Sequence, residues 1–268
     1  MRLALALVFS LAGAASAAEP SLELRRAGVK ERSVALSELK AALSSKKLEF
    51  YSPFSKKTKR YEGFALKDLL NLAYGDAWTK TEWSDAAFIA LDGYQAVGAL
   101  AKLDEDGAYL AFRDLDRESG WEPVGARDAD PGPFFLVWTK DGQTTENAYP
   151  WPWQIAALDL VRFETRYPEV LPAGAKEGSA ARRGFRLFKD RCFRCHSING
   201  QGGKVGPDLN APKSVTEYRS KKMVLEFIRN PSDYRVTQMP DHRDLTARDL
   251  EDLYAYLKLK SRQKVKSW

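Results

Sequence analysis

Cys192-Phe193-Arg194-Cys195-His196 is the stretch on which the reading of this chain turns. Its cysteines are the only two in 268 residues, so they form a local motif and not a framework that could staple a fold. Cys-x-x-Cys-His is the spacing at which a c-type haem is attached. Two thiols about one helical turn apart can reach the two vinyl groups on one edge of a porphyrin. The next residue then lies under the ring, where an imidazole nitrogen can bind iron. Three other accounts compete. A thioredoxin-like redox disulfide belongs at a strand-to-helix junction, whereas the neighbours here are helical and basic. A zinc site needs further Cys or His ligands, and His242 is the one histidine outside the motif. A chance match is the third.

The N-terminus bears on that choice. Arg2 is followed by an apolar run over residues 3–14 and by Ala15-Ser16-Ala17, the pattern of a secretion signal cleaved after Ala17 or Ala18. The run is too short to span a bilayer, which needs about 20 apolar residues. Export implies a periplasmic protein, in which a lone Cys-x-x-Cys-His suits haem.

Charge divides the chain. Residues 19–178 carry 21 Lys+Arg and 26 Asp+Glu, a net of −5, whereas residues 179–268 carry 20 and 10, a net of +10. Two domains with opposite fields are implied, and 44% apolar residues suffice to give each a core. Export argues against nucleic acid as the target of the basic part. An acidic redox partner, an anionic membrane face or the acidic neighbour domain fits the field instead.

Patterning agrees with two domains. In the first, helices are expected over 36–43 and 66–73 and strands over 48–51, 60–64, 86–91, 109–112, 134–138 and 158–163. Lys56-Lys57-Thr58-Lys59-Arg60 reads as a solvated hairpin tip, Asp92-Gly93-Tyr94 as a tight turn with a packed aromatic, and Trp151-Pro152-Trp153 as core packing. Pro168, Pro172, Gly174 and Gly178 mark a linker. Beyond it the pattern is helical: 180–189, then 218–228 after the capping-box pattern Ser214-Val215-Thr216-Glu217, and a last helix capped by Thr246. Residues 258–266 read as a solvated, frayed end. The expected layout is a signal over 1–18, a domain over 19–170, a linker over 171–179 and a second domain over 180–268. The fold class is α+β with two domains: a mixed, mainly β N-terminal domain with short helices, and an all-α C-terminal domain.

From Ala180 to about Lys260 the chain resembles the class I c-type cytochromes. Gly184 and Phe188 stand before the motif as in that family's first helix. Gly206-Pro207-Asp208-Leu209 resembles its proximal loop, and Tyr254-Ala255-Tyr256-Leu257 its last helix. The resemblance implies one covalent haem c on Cys192 and Cys195, iron held by His196, and the Pro207 carbonyl accepting a hydrogen bond from the imidazole. Met239, before Pro240, stands where the family carries its distal thioether ligand. His242 is the alternative sixth ligand, and Met223 reads as core.

Residues 45–165 resemble the molybdopterin-binding fold of sulfite-oxidase-like proteins. The residues concerned are Tyr61-Glu62-Gly63-Phe64-Ala65-Leu66-Lys67-Asp68-Leu69-Leu70, Leu91-Asp92-Gly93-Tyr94, Gly132-Pro133-Phe134-Phe135-Leu136-Val137-Trp138 and Trp151-Pro152-Trp153. That family binds molybdenum through a Cys, and residues 19–178 contain neither Cys nor His. The expectation is a fold relative without the metal. A shuttle of single electrons between redox proteins with acidic docking surfaces, and not an enzyme, is the first expectation for the whole chain. The alternative is the electron exit of a sulfite-dehydrogenase-like oxidoreductase, with a small substrate or cofactor on the first domain. In a third reading the first domain docks the cytochrome onto a respiratory or oxidase complex at the membrane.

Overall fold

The computed structural model describes residues 19–80, 82–125, 128–143 and 149–265; the expected signal segment and its cleavage positions lie outside the described residues. Among the described residues no helix is long and apolar enough to cross a membrane.

The N-terminal part is mainly β. In chain order it runs β1 (Ser21–Arg26), β2 (Val29–Ala35), α1 (Leu36–Ala42), β3 (Ser45–Ser52), β4 (Lys57–Ala65), α2 (Leu66–Tyr74), β5 (Asp85–Ala90), β6 (Gln95–Ala99), α3 (Leu100–Leu103), β7 (Ala108–Asp114), β8 (Phe135–Trp138), β9 (Ile155–Val161) and α4 (Phe163–Arg166). One sheet has the order β2-β1-β9-β5-β6, with β1 and β9 parallel; the other has the order β3-β4-β7-β8. Side chains from both sheets, with Leu39 of α1 and Leu66, Leu69 and Leu70 of α2, meet in one hydrophobic cluster. The residues explain the split between strand types. Leu48 and Phe50 alternate with exposed neighbours on β3, the period of a half-buried strand, whereas all four residues of β8 are buried, so its sequence is continuously apolar.

The aromatic residues around Trp151 pack as core. Phe54 meets Trp151 and Trp153 edge-on, at centroid distances of 5.9 and 5.5 Å. The basic tip expected at residues 56–60 is corrected at Lys59. Its side chain is buried, with the ammonium 2.7 Å from Glu122, 3.1 Å from Asp114 and 3.3 Å from Asp116. Burial alone would lower its pKa, but bonds to Glu122 and Asp114 outweigh that and raise it. Strands β1 and β2, unforeseen, meet at Ala27-Gly28, where both residues have positive φ.

The C-terminal part holds α5 (Ala180–Leu187), a π-helical turn (Phe188–Cys192), β10 (Ser197–Ile198), β11 (Gln201–Gly202), α6 (Val215–Tyr218), α7 (Lys221–Arg229) and α8 (Ala247–Lys260). The expectation of an all-α domain is overturned: β10 and β11 pair antiparallel directly after the Cys-x-x-Cys-His motif. The reason is local. Asn199 and Gly200 between them both take positive φ, which a tight type I′ hairpin turn requires and Asn-Gly supplies at low cost. The helix expected over 218–228 also divides. The Ser214/Glu217 capping box starts the one-turn α6, and Ser220, in extended conformation, caps α7 afresh by accepting from Met223 N.

Packing centres on the pair α5 and α8. Gly184 faces the α8 backbone, and a Cβ there would overlap the carbonyl of Asp252. Arg183 beside it donates two bonds of 2.7 Å to the Asp252 carboxylate. A second hydrophobic cluster forms around this crossing from Phe185, Phe188, Phe193, Leu253, Tyr256 and Leu257, and it also takes in Phe163, Tyr167 and Val170. The segment that reads as a linker is tied to α8: Tyr256 Oη donates to Val170 O at 2.6 Å and Lys260 Nζ to Leu171 O at 3.0 Å. Lys260 is therefore buried, against the expectation of a solvated tail.

Gly184→Ala is expected to cost about 3 kcal/mol, because the helix crossing must open to admit the methyl group. Urea denaturation measures this, and an unchanged midpoint would contradict the close approach.

Candidate haem-attachment site

The motif sits where α5 ends. The helix widens into the π-helical turn closed by Phe193 N donating to Phe188 O at 2.8 Å. The Cys192 carbonyl then accepts from the N–H groups of Cys195 (3.0 Å) and His196 (2.8 Å), so one tight turn carries both thiols and the imidazole. The two cysteines are not bonded to each other. Burial pushes the Cys192 thiol up to about 12, with Arg194 opposing, so it stays protonated at neutral pH. Reactive thiols of redox Cys-x-x-Cys motifs carry the opposite shift. Nor does a strand lead into the motif. Among the described residues no group of three or more His, Cys, Asp or Glu side chains could hold a metal ion.

His196 is oriented from the loop that follows. Its Nδ1 lies 2.8 Å from the carbonyl oxygen of Pro207. A carbonyl can only accept, so the proton resides on Nδ1 and the lone pair on Nε2 is left for a ligand. Burial lowers the imidazole pKa, partly countered by Pro207 and Asp208, which keeps that lone pair available. The Gly206 backbone passes against the imidazole face, and a Cβ at that position would overlap the ring. Gly202 and Gly203 play the same part against the carbonyls of His196 and Arg194.

Asp208 braces the loop. Burial would raise its pKa, but backbone N–H groups of Gly200, Asn210 and Ala211, each 2.7 Å away, hold it low. The spacing Asp208-x-Asn210 was a visible turn signal, but its reach back to Gly200 was not.

Met239 lies half-buried between α7 and α8, its N–H 3.1 Å from Thr237 Oγ1. Met223, expected in the core, is exposed on α7. His242 is 3% exposed, its N–H donating to Arg229 O at 2.9 Å, and its Nδ1 has no hydrogen-bond partner. The structure thus brings Cys192, Cys195, His196 and Pro207 together on one turn and its following loop. Two thiols not joined in a disulfide, a nitrogen lone pair of fixed tautomer and three glycines packed against the motif fit a covalently attached haem.

Sequence reasoning missed a set of contacts from the N-terminal domain onto this turn. Lys189 Nζ is 2.7 Å from Asp85 of β5, Lys102 of α3 is 3.1 Å from Asp190, and Arg194 donates to Tyr149 O at 3.0 Å. Tyr94 is packed within electrostatic range of Cys195 and Arg194, and burial raises its pKa. Separations of 45 to 104 residues leave these without any local signal.

Comparison with known proteins agrees with the geometry. The cytochrome c family model matches residues 181–260. A cytochrome c of Gibberella zeae is 32% identical over 100 residues, covering 30% of this chain and 94% of that protein. One from Stellaria longipes is 33% identical over 79 residues (23% and 72%), and one from Kluyveromyces lactis 34% over 82 (24% and 74%). Through its C-terminal domain the chain belongs to the cytochrome c family. Membership implies haem c and a role in electron transfer.

His242 makes stability depend on pH. Burial, then the Arg191 guanidinium, push its pKa down to about 4. An unfolded imidazole titrates near ~6.5, so between the two values the unfolded chain binds more protons. Stability is expected to hold above ~6.5 and to fall by up to about 3 kcal/mol as pH drops towards 4. Urea denaturation across that range measures it. His242→Gln should flatten the slope, and an equal slope in the variant would remove His242 as the cause.

Proposed function

We propose that this chain is an exported, periplasmic cytochrome that carries one haem c and passes single electrons between redox proteins. The observation that carries this reading is the His196 tautomer, fixed by Pro207 on the turn that also carries two thiols not joined in a disulfide. Cys192 and Cys195 would anchor the haem through thioether links, and His196 Nε2 would hold its iron, which supplies a one-electron couple. Pro207 keeps the imidazole oriented and its Nδ1 protonated, which raises ligand basicity. Met239 is the proposed sixth ligand, ahead of His242. A thioether favours ferrous iron and raises the potential relative to two imidazoles. With His196 and Met239 both holding the iron, the group would supply one-electron transfer.

Residues 19–170 are proposed as a relative of the sulfite-oxidase-like molybdopterin fold that holds no molybdenum, since neither Cys nor His is present there to bind it. In this reading the domain serves docking, to a redox partner or to a membrane complex. The net of +10 over residues 179–268 supports an acidic partner surface. Electron-transfer rates with such a partner should fall as salt is added, and salt-independent rates would exclude steering. The oxidoreductase alternative requires molybdenum, so one iron and no molybdenum in the purified protein decides against it.

The mature protein made in cells able to attach haem should gain the mass of one haem and show Soret absorbance; absence of both overturns the reading. The oxidised form should show the far-red charge-transfer band of Met–Fe(III) ligation. Met239→Ala should abolish it, whereas an unchanged band would return the sixth position to His242.

A further inference from the structure

The π-helical turn that ends on Cys192 is held by the N-terminal domain through residues the cytochrome reading does not use. Asp85, at the start of β5, is fully buried, and its carboxylate lies 2.7 Å from the Lys189 ammonium. Lys189 is three residues before Cys192 and inside the π-helical turn. The same ammonium stands 4.4 Å from the ring centroid of Phe163, and Phe163 packs edge-on against Phe193, inside the motif, at 5.0 Å. Lys102–Asp190 and Arg194–Tyr149 flank the pair on the same turn. The neighbouring linker is pinned to α8 by Tyr256 and Lys260.

We infer that the N-terminal domain forms one wall of the haem-attachment turn, with the pair of half-buried Lys189 and fully buried Asp85 as the contact that positions this turn and sets its local charge. The inference rests on the haem reading above and adds a role for the first domain that a detachable docking module would not have. Lys189 and Asp85 are positioning residues, since each acts on the site through the turn that carries the thiols. As a pair they are close to neutral. Separately they would place one uncompensated charge of either sign in a poorly hydrated position next to the site, where charges are weakly screened.

Ferric haem carries one more positive charge than ferrous haem. A lone cation nearby therefore raises the reduction potential and a lone anion lowers it. In the full-length holoprotein, Asp85→Asn leaves the Lys189 ammonium without its counter-ion and should raise the potential. Lys189→Met leaves Asp85 without its cation; burial already raises the pKa of this carboxyl, so the potential should fall when measured at a pH high enough to keep it ionised. The double variant is neutral and of similar volume, a replacement that buried ion pairs tolerate, and should return close to the wild-type value. Lys189→Arg, which keeps the charge, should also match wild type.

A defect of packing alone would move both single variants in the same direction, so opposite signs separate the two causes. Asp85→Asn is the variant expected to fold most readily, because Lys189 retains some access to solvent. Should Lys189→Met not mature, the upward shift in Asp85→Asn together with its reversal in the double variant still carries the test. Shifts of equal sign, or unchanged potentials in variants with a normal Soret band, overturn this inference while leaving the haem reading intact. A wild-type protein with no Soret band would instead overturn the haem reading.

Discussion

The C-terminal domain depends on one close approach. Gly184 has no Cβ, so α5 can lie against the carbonyl of Asp252 in α8. Arg183 locks the same point with two bonds to the Asp252 side chain. The crossing fixes where α5 ends and therefore where the π-helical turn, Cys192, Cys195 and His196 begin. Phe188 and Tyr256, 5.2 Å apart at their centroids, fill the space that the crossing leaves. A methyl group at residue 184 would push α5 and α8 apart.

Around that crossing, the site is assembled from backbone groups more than from side chains. The Cys192 carbonyl organises the turn, the Pro207 carbonyl holds His196, and Asp208 gathers three N–H groups of the surrounding loops. Glycines at 202, 203 and 206 let these segments approach. Such an arrangement has few ways to relax, so the imidazole orientation belongs to the protein before any ligand arrives. Burial raises the pKa of the Cys192 thiol and lowers that of the His242 imidazole, whose Nδ1 has no hydrogen-bond partner.

Charge acts at two ranges. Over long distances the basic C-terminal domain faces an acidic N-terminal one. At contact range this opposition narrows to Lys189–Asp85 and Lys102–Asp190, where the N-terminal domain meets the turn that carries the motif. Lys59 shows the same economy inside the first domain, where three carboxylates allow a cation to be buried completely. Its place in a run of lysines made it look solvated; only the return of β7 and the loop to Glu122 supplied partners.

The sequence by itself determined what is local or periodic. Cys192, Cys195 and His196 carry their chemistry in five consecutive residues; α1 and α2 follow from apolar spacing, α8 from apolar spacing and its Thr246 cap, and the mainly β character of the first domain from its short apolar runs. The hairpin of β10 and β11 was legible too, in Asn199-Gly200, but the helical context hid it. Tertiary structure decided the rest. It broke the helix expected after Ser214 at Ser220, buried Lys59 and Lys260, and brought Asp85 across 104 residues to Lys189. A residue's neighbours along the chain set its backbone preference, whereas the burial and pairing of a charge depend on segments that meet only once the chain has folded.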